Sequence, residues 1–197
     1  MKINKEDLLR FEKEISEEFL SKKIKVPIHL SGGNEDVLIE IFKHIKEDDW
    51  VFSTHRNHYH ALLKGFTEKE LKDYILCGDC ESMHIYSRKY KFFSSSIVGG
   101  ILPIAVGVAM AIKMSEKKGR VFVFIGDMAA EMGIYHECSK YAARNQLPII
   151  FVIEDNAISV ESPTQKVWGE SKSKPNIIRY SYKRIWPHTG VGKWVTF

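Results

Sequence analysis

Two residues able to hold a hard cation stand at matching points in the chain. Asp127 follows the apolar run Val121-Phe-Val-Phe-Ile and Gly126, and Asn156 follows Ile149-Ile-Phe-Val-Ile and two acidic residues. Mg²⁺ takes an octahedron of oxygens and commonly combines one or two protein side chains with phosphate oxygens. A carboxylate and a carboxamide brought to one spot would supply that protein share. A helix expected to start near Ala129 would aim unpaired amides and its positive dipole end at the same spot, which favours a diphosphate. Asp and Asn at strand ends also form turns and helix caps, and spacing by itself leaves that reading open. Elsewhere, His55, Arg56, His58 and His60 crowd one loop. Cys77-Gly-Asp-Cys80 with His84 offers three ligands where a structural zinc needs four.

The segments that must position these residues read as alternating helix and strand. Lys5 to Phe19 and Asp36 to Ile45 carry apolar residues at helical spacing, Trp50-Val-Phe-Ser-Thr reads as a short strand, and Glu68 to Ile75 as another helix. Ile97 to Lys113 is nearly all small or apolar and predicts a buried helix with close neighbours. Val121-Phe-Val-Phe-Ile and Ile149-Ile-Phe-Val-Ile suit parallel strands buried on both faces, joined by a helix from about Ala130 to Asn145. Such a crossover brings both strand ends to one edge. In open α/β sheets that carboxyl edge binds ligands. Beyond Ser162 the pattern is less regular, with one strand expected at Asn176 to Tyr182. The expected fold is α/β: three α/β/α layers around a mainly parallel sheet, in a single domain over residues 1–197.

Composition narrows the function classes. The chain has 197 residues, 44% of them hydrophobic and 27% charged, the make-up of a globular protein. Its net charge of +4 is spread over 29 basic and 25 acidic residues, so no basic block argues for nucleic acid as a partner. No apolar run approaches the roughly 20 residues of a membrane helix, and the charged start MKINKEDLLRFEKEISEEFL is unlike a signal peptide. A cytoplasmic location is expected, with the three cysteines reduced.

The segment Gly126-Asp-Met-Ala-Ala-Glu-Met-Gly-Ile-Tyr-His-Glu, followed by Leu147-Pro-Ile-Ile-Phe-Val-Ile-Glu-Asp-Asn, resembles the thiamine diphosphate signature of the alpha subunits of 2-oxo acid dehydrogenases, the pyruvate and acetoin dehydrogenases among them. His29-Leu-Ser-Gly-Gly-Asn-Glu, Ser53-Thr-His-Arg-Asn-His-Tyr-His, Ser82-Met-His-Ile and Ile97-Val-Gly-Gly-Ile-Leu-Pro resemble further family segments in family order. Roughly residues 25 to 165 are covered.

The resemblance implies thiamine diphosphate and Mg²⁺ as cofactors, with Asp127, Asn156 and the Ile158 carbonyl as metal ligands. It places Arg56 at the phosphates with His55 and His58 beside it. Gly126, Met128 and Ala129 would frame the diphosphate, and the main chain at Ser96, Val98 and Gly99 would hold the aminopyrimidine. Arg184 and His188, in Tyr182-Lys-Arg-Ile-Trp-Pro-His-Thr-Gly, resemble a late catalytic loop in which a histidine serves general acid–base chemistry. Two departures stand out. Met128 replaces a usual glycine and Glu131 a usual asparagine, and both are expected to weaken cofactor binding.

The chain is also shorter than family alpha subunits, and it carries only the diphosphate-binding half of such an active site. The resemblance therefore implies a beta-type subunit that brings the pyrimidine-binding domain and an activating glutamate, in a homodimer or an α₂β₂ assembly. The implied activity is decarboxylation of a 2-oxo acid with transfer of the acyl unit, a lipoyl-carrier acyltransferase being the next partner. Two alternatives stay open: a transketolase-like enzyme that joins the unit to an aldehyde, ketone or sugar, and a non-catalytic assembly subunit.

Overall fold

The computed structural model describes residues 3–77, 82–169, 177–193 and 195. The chain opens with helix α1 (Lys5–Leu20), capped by Asn4, whose side chain accepts from the Asp7 amide while Asp7 accepts from the Asn4 amide. Helix α2 (Glu35–Phe42) precedes strand β1 (Trp50–Ser53), and helices α3 (His58–Lys64) and α4 (Glu68–Leu76) follow it. Short strands β2 (Tyr86–Ser87) and β3 (Phe92–Ser94) lead to helix α5 (Ile101–Met114). Strand β4 (Val121–Gly126), helix α6 (Gly133–Arg144) and strand β5 (Ile149–Asp155) form the central crossover. A hairpin of β6 (Ile158–Ser159) and β7 (Ser162–Pro163), helix α7 (Thr164–Trp168) and strand β8 (Ile177–Ser181) complete the fold.

Six strands form one sheet in the order β2-β3-β1-β4-β5-β8. Only the edge pair β2–β3 is antiparallel. The two central runs alternate between faces. Phe122, Phe124 and Val152 enter a core with α1 to α4, while Val121, Val123, Ile125, Phe151 and Ile153 enter a second core with α5 and α6. That alternation explains why neither run shows a polar face. Each such side chain contributes about 1.5–3 kcal/mol by leaving water. The result is the expected three-layer α/β/α fold.

The connection from β1 runs to one side, toward β3, and the connection from β4 to the other, toward β5. The carboxyl ends of β1 and β4 therefore flank a switch point, where an open α/β sheet leaves a crevice.

Two expectations need correction. The helix predicted from Ala130 is broken: Ala129–Glu131 make a single 3₁₀ turn, Met132 is extended with ψ 146°, and α6 begins only at Gly133. The apolar segment from Ile97 is not a continuous buried helix either. Residues 97–100 form a turn in which Gly99 has φ +77°, and a Cβ there would lie 3.0 Å from Ile134 Cγ2. Helix α5 then buries one face through Leu102, Ala105 and Ala109 and leaves Ile104 and Met114 exposed on the other. Among the described residues no helix is long and apolar enough to cross a membrane. Of the cysteine cluster, Cys77 is exposed, and Cys80 lies outside the described residues.

Candidate functional site

A cleft of about 710 Å³, counted with its open mouth, occupies the switch point. The loop after β1 brings Thr54, His55 and Arg56 to it, and the loop after β3 brings Ser95, Ser96, Val98 and Gly99. Gly126, Asp127, Met128 and Ala129 enter after β4, Asn156 and Ile158 after β5, and Tyr182 and His188 after β8. Of the site residues expected from the sequence, only His58 and Arg184 do not line it.

One side of the cleft suits a cation. Asp127 is 2% exposed, and its Oδ2 accepts a hydrogen bond from the hydroxyl of buried Thr164. Burial pushes the Asp127 pKa up, against the lowering effect of that hydroxyl. A buried carboxylate in this condition gains from a nearby cation. Asn156 is oriented from both ends: its Oδ1 accepts from the Ile158 amide at 3.1 Å, and its Nδ2 donates to the Tyr182 hydroxyl at 3.2 Å. Asp127, Asn156 and the Ile158 carbonyl are hard oxygen donors of the kind Mg²⁺ takes. No group of three His, Cys, Asp or Glu residues forms a metal cluster among the described residues, so a divalent ion here would depend on this mixed oxygen set plus ligand oxygens.

The other side suits an anion. Arg56 is partly buried, and among the described residues it bonds His55 Nε2 at 3.1 Å, His188 Nδ1 at 3.3 Å and the His188 carbonyl at 3.1 Å. Its Nε has no partner among the described residues. None of those partners carries negative charge, so the guanidinium is not neutralised by a bonded carboxylate. The imidazoles of His29, His55 and His188 meet edge to face, with centroids 4.5 to 5.9 Å apart. Burial, then the Arg56 charge, holds His55 down to about 3 and His29 down to about 4. The same two causes lower His188. The cluster is therefore one fixed positive charge ringed by neutral imidazoles.

His58 turns away from the cleft. It is 1% exposed, and its Nδ1 lies 3.0 Å from Oε2 of Glu12 on α1. A buried carboxylate holds the ring in the opposite layer, so His58 acts on packing and not at the mouth. Arg184 stands behind the lining, close enough to lower His188, with a buried Nη1 that has no partner among the described residues. Met128 has φ −66° and ψ −36°, ordinary helical values that need no glycine, and Glu131 is not among the lining residues.

Several lining or supporting groups carried no signal in the sequence. Glu154, 7% exposed, accepts from Asn34 Nδ2 at 3.1 Å and from the Tyr180 hydroxyl, and lies 3.3 Å from His60 Nε2. Tyr182, pushed up to about 12 by burial and then by the Glu154 charge, borders the same floor. His29 lies well before the histidine-rich loop in sequence, and only the paired return of the chain at residues 188–190 brings it into the cluster. His84 accepts or donates a 2.9 Å bond with Ser96, tying the loop before β2 to the cleft wall.

The geometry agrees with comparisons to known proteins. Residues 4–177 match the family described as the dehydrogenase E1 component. The chain is 33% identical over 161 residues to the alpha subunit of acetoin:2,6-dichlorophenolindophenol oxidoreductase from Bacillus subtilis, covering 78% of this chain and 48% of that one. It is 30% identical over 187 residues to the pyruvate dehydrogenase E1 component subunit alpha of Rickettsia typhi, covering 90% and 54%. It is 32% identical over 143 residues to a chloroplastic pyruvate dehydrogenase E1 component subunit alpha-3 from Arabidopsis thaliana, covering 66% and 33%. It thus spans about half the length, or less, of these relatives. With a matching family segment across most of its length and a three-layer α/β/α fold, the chain belongs to the dehydrogenase E1 component family.

Proposed function

We propose that this chain is the alpha-type, diphosphate-binding subunit of a cytoplasmic thiamine diphosphate- and Mg²⁺-dependent enzyme that decarboxylates a 2-oxo acid and transfers the acyl unit. The observation that carries this reading is one cleft presenting a partly buried arginine with no hydrogen-bonded carboxylate among the described residues and a buried carboxylate with its own oxygen set. A metal diphosphate satisfies both at once. Asp127, Asn156 and the Ile158 carbonyl would hold Mg²⁺, Arg56 and His55 the diphosphate, and the main chain at Ser96 to Gly99 the aminopyrimidine. Gly126 leaves open space where a Cβ would stand, so the backbone there can approach a ligand closely.

Thiamine diphosphate, when bound, supplies the carbanion chemistry of decarboxylation. The residues of this chain bind and orient it and manage protons. His188, neutral because burial and Arg56 lower its pKa, uses Nδ1 on Arg56 and keeps Nε2 for proton exchange at the cleft mouth. Arg184 adds positive field behind it. Glu154, Tyr180 and Asn34 form the polar floor that fixes the end of β5 and hence Asn156.

The active enzyme also needs a beta-type subunit with the pyrimidine-binding domain and activating glutamate, most simply as α₂β₂, passing its acyl unit to a lipoyl carrier. Val98 lines the cleft and is 59% exposed, its neighbour Ile97 is 67% exposed, and α5 exposes Ile104 and Met114. Apolar surface of this extent beside a site suits a covering subunit. The relatives' own names as alpha subunits support the same division of labour. The test is a decarboxylation assay of the chain with and without the beta-type partner. The expected result is turnover by the pair and none by the chain alone, whereas robust turnover by the isolated chain contradicts the two-subunit reading.

A further inference from the structure

We propose that Thr164 is a positioning residue that fastens the Asp127 carboxylate to the Asn156–Ile158 turn, and that Trp168 and Met128 close the same strap. The part that concerns affinity rests on the metal–diphosphate reading above. Thr164 is 4% exposed and makes two bonds to two different strand ends. Its hydroxyl donates to Asp127 Oδ2 after β4, and its amide donates to the Ala157 carbonyl after β5 at 3.1 Å.

Ala157 lies between two of the proposed ligands and has φ +63°, a left-handed value that a non-glycine residue adopts only when its surroundings hold it there. Two contacts do so: the Thr164 amide on its carbonyl, and Asp155 Oδ1 accepting from its own amide at 2.9 Å. The β6–β7 pairing, Ile158 with Pro163 and Ser159 with Ser162, returns the chain so that Thr164 reaches back. Four residues beyond Thr164 in sequence, Trp168 Nε1 donates to Met128 Sδ at 3.2 Å. The turn Asp127-Met128 is thus gripped at both residues by α7. With Oδ2 occupied, Asp127 is pre-set to offer Oδ1 as a single ligand oxygen. Met128, instead of merely crowding the diphosphate, anchors the strap.

The variants are Thr164→Val, Thr164→Ser and Met128→Ala in the full chain, each checked by thermal melting for an intact fold. The first readout needs no ligand: tryptic cleavage at exposed Lys166 within α7. Thr164→Val should be cut several-fold faster than wild type, Met128→Ala should also be faster, and Thr164→Ser should match wild type. The second is Mg²⁺ affinity by calorimetry in the presence of thiamine diphosphate, with each chain assembled with the beta-type partner. Thr164→Val should lose on the order of tenfold, and the serine should restore it. Equal cleavage of Thr164→Val and wild type overturns the strap. Faster cleavage with unchanged Mg²⁺ affinity overturns the positioning role. A wild-type chain that binds neither metal nor thiamine diphosphate counts against the cofactor reading, while the cleavage comparison still decides the strap.

Discussion

At the scale of single residues, the site works by withholding neutralising partners. Arg56 has imidazoles where a carboxylate would ordinarily stand, and those imidazoles are kept neutral by burial and by Arg56 itself. This has a measurable consequence. His29 and His55 titrate at about 4 and about 3 in the folded chain, against 6.5 for a free side chain. Between those values the unfolded chain holds more protons, so stability rises with pH and is lost as pH falls below 6.5. Each histidine contributes a slope of up to about 1.4 kcal/mol per pH unit in that window. Urea midpoints should therefore drop between pH 7 and 5, and His55→Gln should flatten the slope by less than half, since His29 and His188 still contribute. An unchanged slope in that variant would contradict the assignment. The positions of Asp127 and Asn156 just beyond two buried strands were legible in the spacing, while Arg56 was singled out only by the resemblance. The placement of His58 was not legible, because it depends on Glu12. That residue was itself a readable signal: it falls on the apolar stripe of Leu8, Phe11, Ile15 and Phe19, where a carboxylate needs a buried partner.

At the scale of elements, α1 earns its place through that carboxylate as much as through its apolar stripe. Glu12 accepts from the Ser31 amide at 2.7 Å and meets His58 Nδ1 at 3.0 and 3.1 Å, joining α1 to the approach to α2 and to the start of α3. Glu12→Ala would strand two buried polar groups and should cost about 2–5 kcal/mol, with Glu12→Gln less harmful because it keeps one acceptor. Chemical denaturation measures both, and equal stability of the alanine variant would show that the contact is idle. Helix α1 was legible from its single apolar stripe, and β4 and β5 from unbroken apolar runs that serve two cores. Their ends were less so. The extended Met132 splits the expected helix, and the turn at 97–100 delays α5, because local packing against Ile134 and Gly99 outweighs uniform apolar composition.

At the scale of the whole molecule, the chain spans about half the length of its relatives, and its described residues frame a switch-point cleft with a six-stranded sheet. What it leaves uncovered is apolar: the rim at Ile97 and Val98 and the outer face of α5. The sequence announced α5 as buried on all sides, and composition alone cannot distinguish burial within a chain from burial against another. The division between a diphosphate-binding chain and a partner that completes the site follows from the resemblance and suits this surface. The central claim is that the cleft holds thiamine diphosphate through Mg²⁺, and a calorimetric titration of thiamine diphosphate addresses it most directly. The titration is run with Mg²⁺ and with EDTA, for wild type and Asp127→Ala, each assembled with the beta-type partner. The account predicts saturable binding at one site per chain that disappears in EDTA and in Asp127→Ala. Binding indifferent to both changes, or none in the wild-type assembly, would contradict it.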